Sequence, residues 1–292
     1  MKKTPFISKT ILILLFLLLS AIMASLLKSP IKQVGAQIYF LNVGQGDSIL
    51  IQKDNYQILI DGGPDDSVLP LLGENMPTGD RKIEAIILTH PHADHIVGLN
   101  QILDRYEVGT IYGTGVVFSS AQYLSFLDKI KSKKIDFQVP QTGDRLTPFD
   151  FATLDFIWPG RKYLQDSIEN VNNSSIVTKF CYYQKCALLT GDIEKEEQDT
   201  MLAYYKDNED IFKAEIYKVP HHGSNTGVNE AMYEKIIPKY SIISCGEDNK
   251  YGHPHQASIA LAQKFNTTIL RTDQNGTIKF NLDENLLNYS VK

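Results

Sequence analysis

Thr89-His90-Pro91-His92-Ala93-Asp94-His95 directly follows the stretch Glu84–Leu88, and the reading of this junction decides the fold. The apolar end of Glu84–Leu88 has the composition of a buried strand, and the pattern beyond Asp94 continues as a helix to about Tyr106. Three imidazoles and a carboxylate within six residues at a strand-to-helix turn suit a divalent cation, because neutral imidazole and carboxylate are ligand types for zinc, manganese and iron. His90 and His92 are expected to point the same way across the turn, while Asp94 and His95, adjacent at the helix start, reach a second position nearby. Two ions could then share the run. Taken alone, it would also read as a polar helix start capped by Asp94.

Working outward, three more polar clusters follow apolar stretches: Asp61-Gly62-Gly63 after Gln57–Ile60, Gly191-Asp192 after Ala187–Leu189, and His221-His222-Gly223-Ser224 after Ile216–Val219. Strand ends of this kind gather on one rim of an α/β layer, where ligands bind. Strands are expected at 37–43, 47–52, 56–60, 84–88, 108–112, 153–158, 175–183, 186–190, 214–219, 240–244, 267–271 and 276–281. Helices are expected at 66–75, after Asp94, and at 120–132, 194–205, 229–236 and 256–264. Antiparallel pairs at the start and helices dispersed among the later strands predict mixed sheets covered by helices. No composition break divides residues 37–292, which read as one folded unit.

His90-Pro-His92-Ala-Asp94-His95 is the H-x-H-x-D-H signature of the metallo-β-lactamase superfamily, and the chain resembles that family over nearly all of residues 37–285. More narrowly, Phe40-Leu-Asn-Val-Gly-Gln-Gly-Asp47-Ser, Leu59-Ile-Asp-Gly-Gly63, Asn172-Asn-Ser-Ser175, Leu189-Thr-Gly-Asp192, Val219-Pro-His-His-Gly-Ser224 and Tyr251-Gly-His-Pro-His255 resemble the hydrolase domain of the competence protein ComEC and its stand-alone relatives. Secreted phosphorylcholine esterases share part of the pattern. The resemblance implies an αββα sandwich, two mixed β-sheets flanked by helices. It further implies that His90 and His92 hold one metal, Asp94 and His95 a second, that Asp192 bridges both, and that one histidine of the 221/222 pair completes the second site. The family spacing P-x-H-G favours His222 as that ligand, with His221 facing the substrate. Asp94, Asp192 and His221 are thus the expected catalytic residues, and two divalent ions, zinc or manganese, the expected cofactors.

The chain departs from the superfamily where a further histidine is usual, since Asn172-Asn173-Ser174-Ser175 stands there. The first metal is short of one ligand and its site is expected to be weak; water, substrate or Asn173 could fill the gap, with Ser174 close by. Asp61 is expected beneath the site, orienting a ligand through a hydrogen bond, or else as a turn residue before two glycines. Gly44-Gln45-Gly46-Asp47 follows a strand, but no G-x-G-x-x-G or G-K-[ST] pattern accompanies it, so it reads as a hairpin turn. His253 and His255 flank Pro254 and are candidates for contact with a substrate phosphate or for a purely structural loop role.

No G-x-S-x-G or comparable nucleophile motif is present, so metal-bound hydroxide is the economical nucleophile. The resemblance points to hydrolysis of a phosphodiester, in DNA or in a wall-linked or lipid substrate. A hydrolase of carboxylic esters, lactams or thioesters competes with that reading, as does a binding module that keeps its metal without turnover. No nucleotide cofactor is expected.

Residues 1–36 stand apart as a signal or anchor segment with its linker. Lys2, Lys3 and Lys9 precede an uncharged run from Thr10 to Leu27, longer than a signal-peptide core and marginal for a spanning helix. Anchoring and cleavage both remain open, and either places the remainder outside the membrane, anchored at its extracellular face or secreted. Of the 29 basic and 34 acidic residues, residues 1–29 hold four lysines and no acid, leaving 25 basic against 34 acidic, about −9. That balance argues against tight binding of nucleic acid through phosphates over a broad surface. The cysteine count is three: Cys181 and Cys186 flank a hairpin turn and are either bridged, as an oxidising compartment allows, or simply small buried residues.

Overall fold

The apolar alternation resolves into strands β1 (Ala36–Phe40), β2 (Ile49–Lys53), β3 (Tyr56–Ile60), β4 (Lys82–Leu88), β5 (Glu107–Gly113), β6 (Asp136–Gln138), β7 (Arg145–Leu146), β8 (Ala152–Trp158), β9 (Val177–Tyr182), β10 (Lys185–Leu189), β11 (Ile216–Lys218), β12 (Tyr240–Ile243), β13 (Thr268–Arg271), β14 (Ile278–Leu282) and β15 (Leu287–Val291). The computed structural model describes residues 35–159 and 170–292; the expected signal or anchor segment falls within the stretch outside the described residues. Among the described residues, no helix is long and apolar enough to cross a membrane.

The strands form two mixed sheets, ordered β15-β14-β1-β2-β3-β4-β5-β6 and β13-β12-β11-β10-β9-β8-β7. In the first, β1 to β3 are antiparallel neighbours and β3 to β6 run parallel; in the second, β8 to β10 are antiparallel and β10 to β13 parallel. Ala36, Ile38 and Phe40 of β1 and Ala85 and Ile87 of β4 face Leu154, Phe180, Ala187 and Ile216 of the second sheet, forming the core between the sheets. Their neighbours Tyr39, Ile86 and Leu88 turn to the other face, where they meet helices α1 (Val68–Asn75), α2 (Ala93–Arg105) and α3 (Ala121–Lys133). The outer face of the second sheet is covered in the same way by α4 (Lys195–Tyr204), α5 (Glu230–Ile236) and α6 (Gln256–Lys264). Because both faces of each sheet are covered, the central strands read as nearly continuous apolar runs. The architecture is the αββα sandwich.

Helix α2 buries Ile96, Leu99, Ile102 and Leu103, a stripe at helical spacing that seats it on the first sheet, each aliphatic side chain contributing about 1.5–3 kcal/mol on burial. That seat fixes Asp94 and His95 at its N-terminal turn. Residues Gly35–Lys292 form one compact unit. Cys181 and Cys186 stand directly opposite across β9 and β10, with Cα atoms 4.1 Å apart, and are joined as a disulfide.

The departures from the expected elements have local causes. β1 ends at Phe40 and β2 starts at Ile49, because Leu41, Val43, Asp47 and Ser48 are buried in a connection that folds over the rim, where a tight hairpin turn was expected. The edge strands β6 and β7 and the terminal strand β15 carry no strong apolar run, since they lie at or near sheet edges facing solvent.

Candidate metal centre

The ends of β3, β4, β10, β11 and β12 meet on one rim, as the parallel order within each sheet requires. There, ligand atoms of Asp94, His95, Asp192 and His222 all lie within 4.8 Å of one another. Two of these residues follow β4 of the first sheet and two follow strands of the second. Asp192 Oδ2 sits 3.3 Å from both His95 Nε2 and His222 Nε2, and 3.9 Å from His90 Nε2. His222 Nε2 is also 3.3 Å from Asp94 Oδ2. His90 Nε2 and His92 Nδ1 are 3.1 Å apart, which brings the first two histidines of the run together beside Asp192.

The imidazoles of His95 and His222 are oriented from behind. His95 Nδ1 donates to Asp61 Oδ2 at 2.8 Å, leaving Nε2 to face the cluster. Asp61 is held in turn by the Thr89 backbone N–H (2.8 Å) and hydroxyl (2.6 Å), so this carboxylate is fully buried yet well satisfied. His222 Nδ1 donates to the Ser244 carbonyl at 2.9 Å, which again leaves Nε2 forward. His221 and His222 both have positive φ, 50° and 54°, and this tight left-handed turn separates the two rings. His222 is buried in the cluster; His221 is partly exposed on the cavity wall, its Nδ1 close to Thr226 Oγ1 (3.0 Å) and Glu194 Oε1 (3.2 Å).

Burial opposes charge on His95, but Asp192, Asp61 and Asp94 outweigh it and hold its pKa well above the usual value. His222 is likewise pushed up to about 10, burial being overcome by Asp192 and Asp47. Asp192 and Asp94 are held below the ordinary carboxylate range, the nearby imidazoles prevailing over burial. His90 goes the other way: burial first, then the charge of His95, lowers its pKa and keeps it a neutral donor. Burial and the neighbouring His222 and His221 also lower His253, to about 4.

The cavity in front of the cluster has a volume of about 350 Å³ and is lined by Gln45, His92, Asp94, Asn172, His221 and Tyr251 among others. Of the asparagine-serine run, Asn172 faces this cavity and Ser175 touches both His90 Nδ1 (3.4 Å) and the Asp192 backbone N–H (3.0 Å). The expected pair Asn173 and Ser174 is engaged elsewhere: Asn173 Oδ1 accepts from the Glu194 backbone, and Ser174 donates to the Val171 carbonyl. The 3-10 turn at 171–174 sets which of these side chains face inward. His253 lines the cavity, whereas His255 accepts from the Asn225 backbone N–H at 3.0 Å and serves its loop. Residues 44–47 do lie in the connection between the antiparallel neighbours β1 and β2, but Asp47 is more than a turn residue, since it is buried and paired with Lys218 at 2.8 Å. A signal for it existed: Lys218 interrupts the apolar run Ile216–Val219, and a lysine in a covered central strand needs a buried counter-charge.

Residues 41–247 match the family model of the Metallo-beta-lactamase superfamily, and the chain belongs to that superfamily. The chain is 28% identical over 282 residues to ComE operon protein 3 of Bacillus subtilis, covering 90% of this chain and 35% of that protein. It is 24% identical over 253 residues to competence protein ComA of Neisseria gonorrhoeae, covering 85% of this chain and 32% of that one. The chain therefore spans about a third of the length of these relatives. Among solved structures, the metallo-beta-lactamase fold protein YhfI of Bacillus subtilis superposes with a TM-score of 0.54 at 14% identity, over 81% of this chain and 96% of that chain.

Asp61→Asn removes a charge behind His95 without changing shape. Metal affinity is expected to fall about 10–100-fold with the fold retained, as for other partners that orient metal-binding histidines. Competition with a chromogenic chelator, alongside circular dichroism, measures both.

Proposed function

We propose that this chain is an extracytoplasmic phosphodiesterase that uses two divalent cations, zinc or manganese, held at the rim of the sandwich. The observation that carries the proposal is the convergence of Asp94, His95, Asp192 and His222 from two sheets to within 4.8 Å. The donor set fits a cation on its own chemistry: among the described residues, the buried Asp192 Oδ1 has no hydrogen-bond partner, and His222 Nε2 faces the carboxylates of Asp94 and Asp192, each at 3.3 Å. Asp94, His95, Asp192 and His222 would hold one ion, and His90, His92 and Asp192 the other, more weakly. When bound, such ions supply Lewis acidity that brings the pKa of a coordinated water to about 7 and offsets charge developing on the reacting group.

The chain's own residues do the rest. Asp61 and the Ser244 carbonyl keep His95 and His222 in the tautomer that faces the cluster. His221, anchored at Nδ1 beside Glu194 and Thr226, orients the substrate and can hold a proton at Nε2 for a leaving oxygen. His253, kept neutral, and Asn172 line the cavity as uncharged hydrogen-bonding groups. A phosphodiester as substrate is supported by the similarity to a competence protein, which makes DNA the first candidate and a wall or lipid phosphodiester the second. Export is supported by the apolar run at 10–27 and by the Cys181–Cys186 bridge, which suits an oxidising compartment. The same two features support placement at the outer face of the membrane, anchored or secreted.

The test is turnover of bis-nitrophenyl phosphate by metal-supplemented protein, wild type against Asp94→Ala, beside a lactam and a thioester substrate. Wild type is expected to hydrolyse the phosphodiester, and Asp94→Ala to lose at least about 100-fold. Equal turnover by the two proteins removes the mechanism, and preference for lactam or thioester removes the substrate class.

A further inference from the structure

The proposed metal centre is divided between two sheets: Asp94 and His95 belong to the first, Asp192 and His222 to the second. Loops carried by separate sheets need a tie close to the ligands if four donors are to stay in register. Directly behind His222 lies a pair of buried charges that the proposed chemistry does not use. Lys218, fully buried at the end of β11, places Nζ 2.8 Å from Asp47 Oδ2 and 3.0 Å from the Val219 carbonyl. Asp47, equally buried, comes from the connection between β1 and β2 in the other sheet.

Asp47 touches both halves of the centre. Its Oδ1 lies 3.7 Å from His222 Nδ1 and has no hydrogen-bond partner among the described residues. Its backbone N–H donates to the Asp94 carbonyl at 3.3 Å, and its carbonyl accepts from Gly63 N–H at 2.9 Å. The preceding Gly46 packs so tightly on Asp94 that a Cβ there would overlap the Asp94 carbonyl oxygen. One short loop thus grips the backbone of one ligand and the back of another, and Lys218 anchors it to the strand leading to the second.

We propose that the Asp47–Lys218 pair is a positioning device that locks the loop bearing Asp94 to the loop bearing His222 and so sets the spacing of the metal centre. A buried ion pair is a poor source of net stability, because desolvation offsets its attraction and apolar residues of similar volume often replace it without loss. The positions of Asp47 and Lys218 at the seam supply the reason for having one here. The inference rests on the metal reading above and adds to it two residues outside the proposed ligand set.

The experiment compares full-length wild type with Asp47→Leu, Lys218→Met, the double variant and Asp47→Glu. Three quantities are measured: thermal midpoint of the metal-free protein, Zn²⁺ affinity by chelator competition, and the visible spectrum of the Co²⁺-loaded protein. Each single variant strands a buried charge, so its metal-free midpoint falls. The double variant recovers most of that midpoint, yet binds Zn²⁺ about 10–100-fold more weakly and shows a changed Co²⁺ spectrum. Asp47→Glu, which keeps the charge and shifts it by one methylene, stays folded with the same two changes. Wild-type affinity and spectrum in either the double variant or Asp47→Glu overturns the inference. Wild type that binds neither metal overturns the metal reading itself, which separates the two failures.

Discussion

Asp192→Ala is expected to abolish measurable hydrolysis in the metal-supplemented protein, a loss well beyond the roughly 10–100-fold typical of residues that only orient a ligand. Asp192 Oδ2 stands 3.3 Å from His95 Nε2 and His222 Nε2 and 3.9 Å from His90 Nε2, so Asp192 would contribute to both proposed cation positions. Removing it takes away the negative charge that faces His95 and His222 in a buried pocket and that would balance a bound cation. Metal content of the purified variant, measured by atomic emission, should fall together with turnover. A variant that retains both full metal content and turnover would show that Asp192 is no ligand. The fold is expected to survive, because α4 is started by Glu194 and the backbone of Asp192 is held independently by Ser175.

Gly98→Ala should act through the scaffold and is expected to cost about 3 kcal/mol, the upper end for overpacking. Helix α2 crosses the Asp61–Gly63 loop at backbone contact: Gly98 N–H donates to the Gly63 carbonyl at 3.1 Å, and Gly62 N–H to the His95 carbonyl at 2.7 Å. A Cβ on Gly98 would overlap the carbonyl oxygen of Gly62, and no flexible side chain is there to move aside. The helix must shift, carrying Asp94 and His95 away from Asp192 and His222. For a domain of this size, that destabilisation lowers the thermal midpoint by about 6–12 °C. Scanning calorimetry and Zn²⁺ affinity should report losses together; an unchanged midpoint would mean the contact is looser than described.

The two variants differ in what the sequence could announce. Asp192 was legible because it closes an apolar strand beside Gly191, and the His90–His95 run because three imidazoles rarely crowd one turn without a shared ligand. The contact of Gly98 with Gly62 has no such signature, since a mid-helix glycine reads only as a local weakness. Asn172 and Asn173 are equally unresolved by type, and the turn at 171–174 alone decides that Asn172 faces the cavity.

By itself, the sequence determined the central elements and the rim: alternation set which face of each covered strand is buried, and polar clusters at strand ends marked where ligands gather. These are local properties, written in spacings of a few residues. Tertiary structure decided the partners. His222 enters the cluster and His221 the cavity wall because two successive positive φ values turn adjacent rings apart. Asp47 meets Lys218 because two sheets bring together residues 171 positions apart in the chain. Pairings of that kind depend on how the layers stack: the interrupted apolar run marks Lys218 as a buried charge in need of a partner, but periodicity encodes burial and not which residue that partner is.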